Sequence, residues 1–211
     1  MIHNIISFEA GREGAGKTTQ AKMLVDHMNK CGVRASYIKF PYGSFRDVLL
    51  SQDLTAKAQM LLYHADFAQC LEEKIIPLLD QGQWVVLDRY VDSSYVYQGL
   101  VRGLPLHEIV KVTDFAIGNY RPQKTILLDI TKAESIRRLK ERGETPRLAE
   151  KYGEDFADRV DRGYDYLAEQ FKHRIIRVDG YQEPKEVLLE IVAALDSFLP
   201  GKLLNNYYYY N

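Results

Sequence analysis

Gly11-Arg12-Glu13-Gly14-Ala15-Gly16-Lys17-Thr18 fits the pattern G-x-x-x-x-G-K-[ST], between the apolar run 4–9 and an amphipathic stretch that begins at Lys17. A strand before and a helix after is the placement that a phosphate-cradling loop requires. The glycines let main-chain N–H groups curl around an oxyanion, and the helix N-terminus adds the positive end of its dipole. Lys17 reaches the outer phosphates, Thr18 offers its hydroxyl to Mg²⁺, and Thr19 completes the binding stretch. The loop therefore predicts a site for the phosphates of ATP with its magnesium, and it sets the first unit of the fold as strand, loop, helix.

On either side of this loop, short β-branched or aromatic runs alternate with longer amphipathic ones. Strands are expected at about 4–9, 34–40, 84–88, 124–130 and 174–179, and helices at about 17–31, 55–80, 105–117, 132–142, 154–173 and 184–199. Gly32, Gly82, Gly118 and Gly143 stand where glycine stops a helix. Strands apolar on both faces indicate a parallel sheet covered on each side. The expected fold class is α/β, a P-loop NTPase three-layer fold with a parallel five-stranded sheet flanked by helices, in one domain over residues 1–203. The polar segment 143–153, with Arg147 and Lys151, is expected to be a short lid, and 204–211, with Tyr207 to Tyr210, a disordered tail.

Composition narrows the partners. The 28 basic and 29 acidic residues in 211 leave a formal charge of -1, without the global basic field that drives nucleic-acid binding. No nucleic-acid partner is expected, and phosphate chemistry must come from local clusters. Cys31 and Cys70 are too few for a disulfide framework or a cysteine-based zinc site. No apolar run approaches the ~20 residues of a membrane span, and the N-terminus lacks the pattern of a signal peptide. The expectation is a cytoplasmic protein without a membrane partner.

A second constellation is Trp84-Val85-Val86-Leu87-Asp88-Arg89-Tyr90, an aliphatic strand that delivers an acid and a base at its carboxyl end, where ligands sit in open α/β sheets. Asp88 is placed to hold the magnesium or its water, and Arg89 offers a fork matched to a phosphate dianion. Around the lid, Arg138, Lys140, Arg142 and Arg147 are basic; Arg142 and Arg147 are read as catalytic and Lys140 as a solvated helix face. No obvious general base accompanies these groups. A phosphate monoester, with a second pKa of about 6, is already mostly a dianion and attacks without one. An alcohol acceptor would need a carboxylate, and Glu13 is available, so the residues tilt towards a phosphate acceptor without deciding it.

Asp88-Arg89-Tyr90-Val91-Asp92-Ser93-Ser94-Tyr95-Val96-Tyr97-Gln98-Gly99, followed by Arg102-Gly103-Leu104, resembles the signature of bacterial thymidylate kinases, which phosphorylate dTMP to dTDP with MgATP. Glu13 in the phosphate loop, Arg142-Gly143-Glu144 and Arg147 of the lid, and Phe156, Arg159, Val160, Gly163 and Tyr164 beyond it extend the resemblance over about 4–199. The resemblance implies Arg89 as ligand of the acceptor phosphate, Glu13 beside the acceptor sugar and phosphate, and Tyr97 as a wall against a 2′-hydroxyl. It implies Ser94 and Gln98 lining the base pocket, Tyr63 stacking on the base, catalytic arginines supplied by the lid, and a homodimer through the long helices.

Three departures fall on the acceptor side. Lys39-Phe40-Pro41-Tyr42-Gly43-Ser44, continuing to Phe45-Arg46, replaces an arginine followed by Glu-Pro-Gly-Gly-Thr; lysine lacks the bidentate fork, so Lys39 or Arg46 would hold the phosphate less tightly. Phe67 stands where the family has an arginine on the base edge, and the loss of a polar reader relaxes or redirects selectivity. Phe67→Arg is accordingly expected to raise the preference for thymidylate. Pro146-Arg147 replaces Asp-Arg in the lid. The leading expectation is phosphoryl transfer from MgATP to dTMP; the alternatives are a kinase for another or modified pyrimidine deoxynucleotide or a nucleoside, and an ATP-binding switch that has lost catalysis.

Overall fold

The computed structural model describes residues 3–51, 53–153 and 155–199, without the side chains of 147–149. The expected tail 204–211 lies outside the described residues. Strands β1 (Ile5–Glu9), β2 (Ala35–Lys39), β3 (Trp84–Asp88), β4 (Lys124–Asp129) and β5 (Ile175–Asp179) form one parallel sheet in the order β2-β3-β1-β4-β5. The register sets Phe8 beside Asp88 and Lys39 beside Asp88, so the carboxyl ends of β1, β2 and β3 finish together.

Alternation along each strand feeds two cores. Ile5, Val85, Leu87 and Leu127 face one side, and Ile6, Phe8, Val86, Ile126 and Leu128 face the other. This is why the strand segments read as apolar throughout: a sheet buried on both faces has no polar side to alternate with. The second face is covered by α1 (Lys17–Lys30) and α10 (Pro184–Leu195), through Leu24, Met28, Leu188 and Ile191. The first is covered by α3 (Ala56–Cys70), α6 (Leu106–Ile117) and α9 (Phe156–Gln170), through Phe67, Ile109, Val160 and Tyr164.

Caps fall where short polar side chains allow. The Thr55 hydroxyl accepts from the Ala58 amide at the head of α3, and Thr131 accepts from Glu134 at the head of α7 (Lys132–Glu141). The stretch expected as one helix over 55–80 is continuous but contains a π-helical turn, Leu71–Ile75, before α4 (Ile76–Asp80). Three helical pieces were not foreseen: α2 (Phe45–Ser51), the pair α5 (Val91–Ser94) with the π-helical Tyr95–Val101, and α8 (Arg147–Tyr152). Each is too short or too polar to show a helical period of its own. The segment 143–153 is therefore a loop enclosing a one-and-a-half-turn helix rather than an unstructured link.

Asp92, in the middle of the signature, serves the scaffold. Arg174 grips it with Nη1 and Nη2 at 2.7 and 2.8 Å, and Thr125 Oγ1, itself 2.8 Å from Ser7 Oγ, completes a buried network that ties α5 to β1 and β4.

Candidate active site

The phosphate loop leaves β1 at Glu9 and enters α1 at Lys17. Gly14 at φ 79° and Gly16 at φ 97° take left-handed conformations that side chains resist, which curls the main-chain amides inward. Gly11 is required for another reason: a Cβ there would come within 1.9 Å of Asp161 Oδ1. Arg12, expected to bind ATP, instead pairs with Asp158 and Asp161 at 2.6 Å each, tying the loop to α9. Its main chain remains part of the cradle, but its guanidinium is engaged elsewhere.

Lys17 stands in a crowded field. Burial, followed by the Arg89 guanidinium, pushes its ammonium down to about 7 against the pull of Asp88 and Glu9. A polyphosphate placed here would add negative charge beside that ammonium and favour its charged form. Thr18 Oγ1 bonds Asp88 Oδ2, which also accepts from Tyr37 Oη at 3.0 Å. Burial works against the Asp88 charge, but Thr18, Lys17, Lys39 and Arg89 outweigh it and hold the carboxyl below its ordinary range. A hydroxyl beside an ionised carboxylate is the hard-oxygen donor set that suits Mg²⁺, so these residues fit that ion. The Lys39 ammonium lies 3.1 Å from Thr18 Oγ1 and 3.5 Å from Asp88 Oδ2, marking the spot as one that attracts a cation.

Arg89 adopts φ 70°, the single non-glycine residue with positive φ among the described residues. Such a conformation persists only when its surroundings impose it. Here Glu9 does so. Fully buried, its Oε1 accepts from the Tyr90 amide at 2.9 Å, and its Oε2 accepts from Ser93 Oγ and Tyr164 Oη at 2.7 Å each. Arg89 Nη1 lies 3.8 Å from Glu9 Oε2, donates to Ser93 Oγ at 3.2 Å, and its guanidinium stands 5.3 Å from the Tyr97 ring centroid. Burial raises the Glu9 pKa while Arg89 lowers it; burial opposes the Arg89 charge, but Tyr97, Tyr164, Glu9 and Asp88 raise its pKa overall. The guanidinium is held charged without being fully neutralised, as a receptor for a phosphate dianion must be.

A cavity of 370 Å³ opens from Arg89, and Glu13, Lys39, Arg46, Tyr63, Phe67, Ser94, Tyr97 and Gln98 all border it. The expected acceptor residues are thus brought to one place. Three details differ from expectation. Lys39 leans to the Thr18–Asp88 pair, and Arg46 Nη1 donates to the Pro41 carbonyl at 3.2 Å. Phe67, 1% exposed, is one member of an aromatic cluster, with its ring centroid 4.9 Å from Phe40, 5.1 Å from Tyr90 and 5.4 Å from His64. Tyr97 Oη is buried without a hydrogen-bond partner among the described residues, an orphan that a ligand in the cavity can satisfy.

On the other side of the loop, Gly14, Gly16, Thr19, Arg138, Arg142, Tyr181 and Pro184 line a second hollow of 350 Å³. Arg138 Nη2 donates to the carbonyls of Gly180 and Tyr181 at 2.8 and 3.1 Å, binding α7 to the turn after β5. Arg142 lies against the phosphate loop, its Nη2 3.0 Å from where a Gly14 Cβ would stand. The Arg147 backbone opens α8, and its side chain lies outside the described residues. Reading the sequence missed Glu9, whose contacts hold the residues around Arg89. Glu9 carries the one local signal, an acid at the end of an otherwise apolar strand directly before the loop.

The family model described as thymidylate kinase matches residues 9–191. A thymidylate kinase of Caldanaerobacter subterraneus subsp. tengcongensis is 39% identical over 208 residues, 95% of this chain and 99% of that relative. One from Thermoanaerobacter sp. is 39% identical over 206 residues, 94% of this chain and all of the relative. A crystal structure of thymidylate kinase from Ehrlichia chaffeensis matches with a TM-score of 0.71 at 26% identity, covering 90% of this chain and 97% of that one.

Proposed function

The chain belongs to the thymidylate kinase family, and on that premise we propose that it transfers the γ-phosphoryl group of ATP to the phosphate of dTMP, giving dTDP and ADP. The observation that carries the reading is the meeting of two phosphate receptors, the curled loop with Lys17 and the half-buried Arg89, across the Glu13 edge of one cavity. The donor phosphates lie on the loop amides and Lys17; the acceptor phosphate lies on Arg89, with Tyr97 closing the sugar side and Tyr63 and Phe67 bounding the base. Held in line, the acceptor dianion attacks without a general base, and the chain contributes position and charge. Thr18 and Asp88 would hold Mg²⁺, which would supply charge neutralisation on the phosphates when bound.

Arg142, at the end of α7, and Arg147, in the segment 143–153, act together as that segment closes as a lid over the transferring group. The nearness of Arg142 to Gly14 supports this. A homodimer through the long helices is part of the same reading, supported by Leu61 of α3 and Phe115 of α6, 49% and 93% exposed. A panel of nucleosides and nucleoside monophosphates assayed for ADP release tests the reaction, with dTMP expected as the preferred acceptor. Turnover of an unphosphorylated nucleoside and of no monophosphate would overturn it.

A further inference from the structure

Helix α7 and its C-terminal cap lie against the phosphate loop through Ser135, Arg138 and Arg142, which the helical period sets on one face. A Cβ on Gly14 would meet Arg142 Nη2 at 3.0 Å, Arg138 Cβ at 3.5 Å and the Ser135 carbonyl oxygen at 3.6 Å. Ser135 is the unexpected member. It is 7% exposed inside a helix, where serine is a mediocre former and its hydroxyl ordinarily turns back to the carbonyl four residues earlier. Here Oγ donates instead to the Glu13 carbonyl at 2.7 Å, across 122 residues of chain.

That bond fixes a peptide plane. The Glu13–Gly14 peptide is trans, since the cis bond among the described residues is Phe40–Pro41, so its carbonyl and its N–H point in opposite directions. With the carbonyl turned out to α7, the Gly14 N–H is turned into the curl of the loop. The Gly14 carbonyl in turn faces Arg138 Nη1 at 3.4 Å, and the Ala15 carbonyl abuts Gly180, where a Cβ would stand 3.2 Å away. The N–H groups of Gly14, Ala15 and Gly16 donate to no protein group among the described residues. Gly14, at φ 79°, leaves its peptide free to turn, so a bond from outside the loop is what keeps the direction.

Place along the loop decides what the Gly14 amide meets. Glu13 borders the acceptor cavity, and Gly14 is the first loop residue to border the second hollow. The Gly14 N–H therefore stands at the junction of the two, where the terminal phosphoryl group must lie to pass between them. We infer that Ser135 is a positioning residue for phosphoryl transfer: by holding the Glu13 carbonyl outward, it aims the Gly14 amide at the terminal phosphate of the donor. This rests on the reading of the loop as the donor cradle.

The test compares, by calorimetry with Mg²⁺, the affinities for ADP and for a non-hydrolysable ATP analogue with a β–γ imido bridge, in the unaltered enzyme and in Ser135→Ala. Alanine is the better helix former, so α7 should persist without the hydroxyl. The analogue is expected to bind ~10-fold more weakly and ADP within about twofold of its original affinity, while kcat with dTMP falls ~10-fold and the KM for dTMP holds. A loop loosened only by lost packing would weaken both nucleotides alike. In the unaltered enzyme, the Gly14 amide proton should move downfield in NMR spectra when the analogue binds and not when ADP binds, an arm that depends on no variant. Equal loss for both nucleotides, no loss for either, or an amide proton indifferent to the terminal phosphate would each overturn the inference. If the unaltered enzyme binds neither nucleotide, the donor-cradle reading fails as well; if it binds both and Ser135→Ala does not separate them, the role of Ser135 alone fails.

Discussion

The donor and acceptor sides of the site are built in opposite ways. The donor cradle is one uninterrupted stretch, Gly11 to Thr18, and its binding groups are mostly main-chain amides whose direction follows from the positive φ of Gly14 and Gly16. The acceptor cavity draws its walls from β2, α2, α3, the residues after β3 and the start of α9, and its binding groups are side chains. A main-chain site tolerates change in almost every side chain it carries, as Arg12 shows by pairing with Asp158 and Asp161. A side-chain site changes its chemistry with each residue, and the departures at Lys39 and Phe67 fall there.

The contrast can be broken at its strongest point. Lys17→Ala removes the side-chain charge within the donor loop itself, and kcat should fall by ~10³-fold or more with every acceptor, as read by ADP release. Loss with dTMP but not with other acceptors would refute the division. On the acceptor side, Arg89→Met should lower kcat/KM for dTMP by ~10²- to 10³-fold while ATP affinity changes little, because it removes a receptor that the triphosphate does not use. Weakened ATP binding in that variant, measured by calorimetry, would show that the two sides are not separable.

Phe67→Arg tests whether the acceptor wall is packing or recognition. The expectation of better thymidylate preference meets the observed cluster of Phe40, His64 and Tyr90, in which a guanidinium would be buried without a partner. A loss of about 3 kcal/mol of stability, seen in chemical denaturation, is the expected result. Unchanged stability with a sharper base preference would restore the original expectation.

The smallest effect concerns protons. With the Lys17 pKa at about 7 in the free protein, bound polyphosphate raises it, so ATP affinity is fully present below about pH 7 and declines as pH rises. The decline should approach ~10-fold per pH unit until the pKa of the complex is reached. Calorimetry near pH 8 in buffers of different ionisation enthalpy should show proton uptake on binding. Absence of uptake would mean that Lys17 is already charged.

The parts of this chain that were legible in advance are those encoded by neighbours in sequence. Five apolar runs became five strands because a sheet covered on both faces needs nothing but apolar residues. The loop was legible because glycine conformations and a helix start are local properties. Arg89 was legible from its place at the end of an aliphatic strand, but Ser94, Tyr97 and Gln98 were legible only through resemblance, since nothing in the order of residues says that Tyr63 and Gln98 face the same space. Helices α2, α5 and α8 stayed hidden because packing, not periodicity, stabilises segments so short.

What the order of residues determined by itself is the layered sheet and a grip on polyphosphate, because both rest on backbone geometry and on patterns a few residues long. Tertiary structure alone decided that buried Glu9 imposes the strained backbone of Arg89, that Arg12 serves α9, and that Ser135 holds a carbonyl of the phosphate loop. Each of those is a contact between residues far apart in the chain, and the direction of a hydrogen bond exists only once both partners are in place.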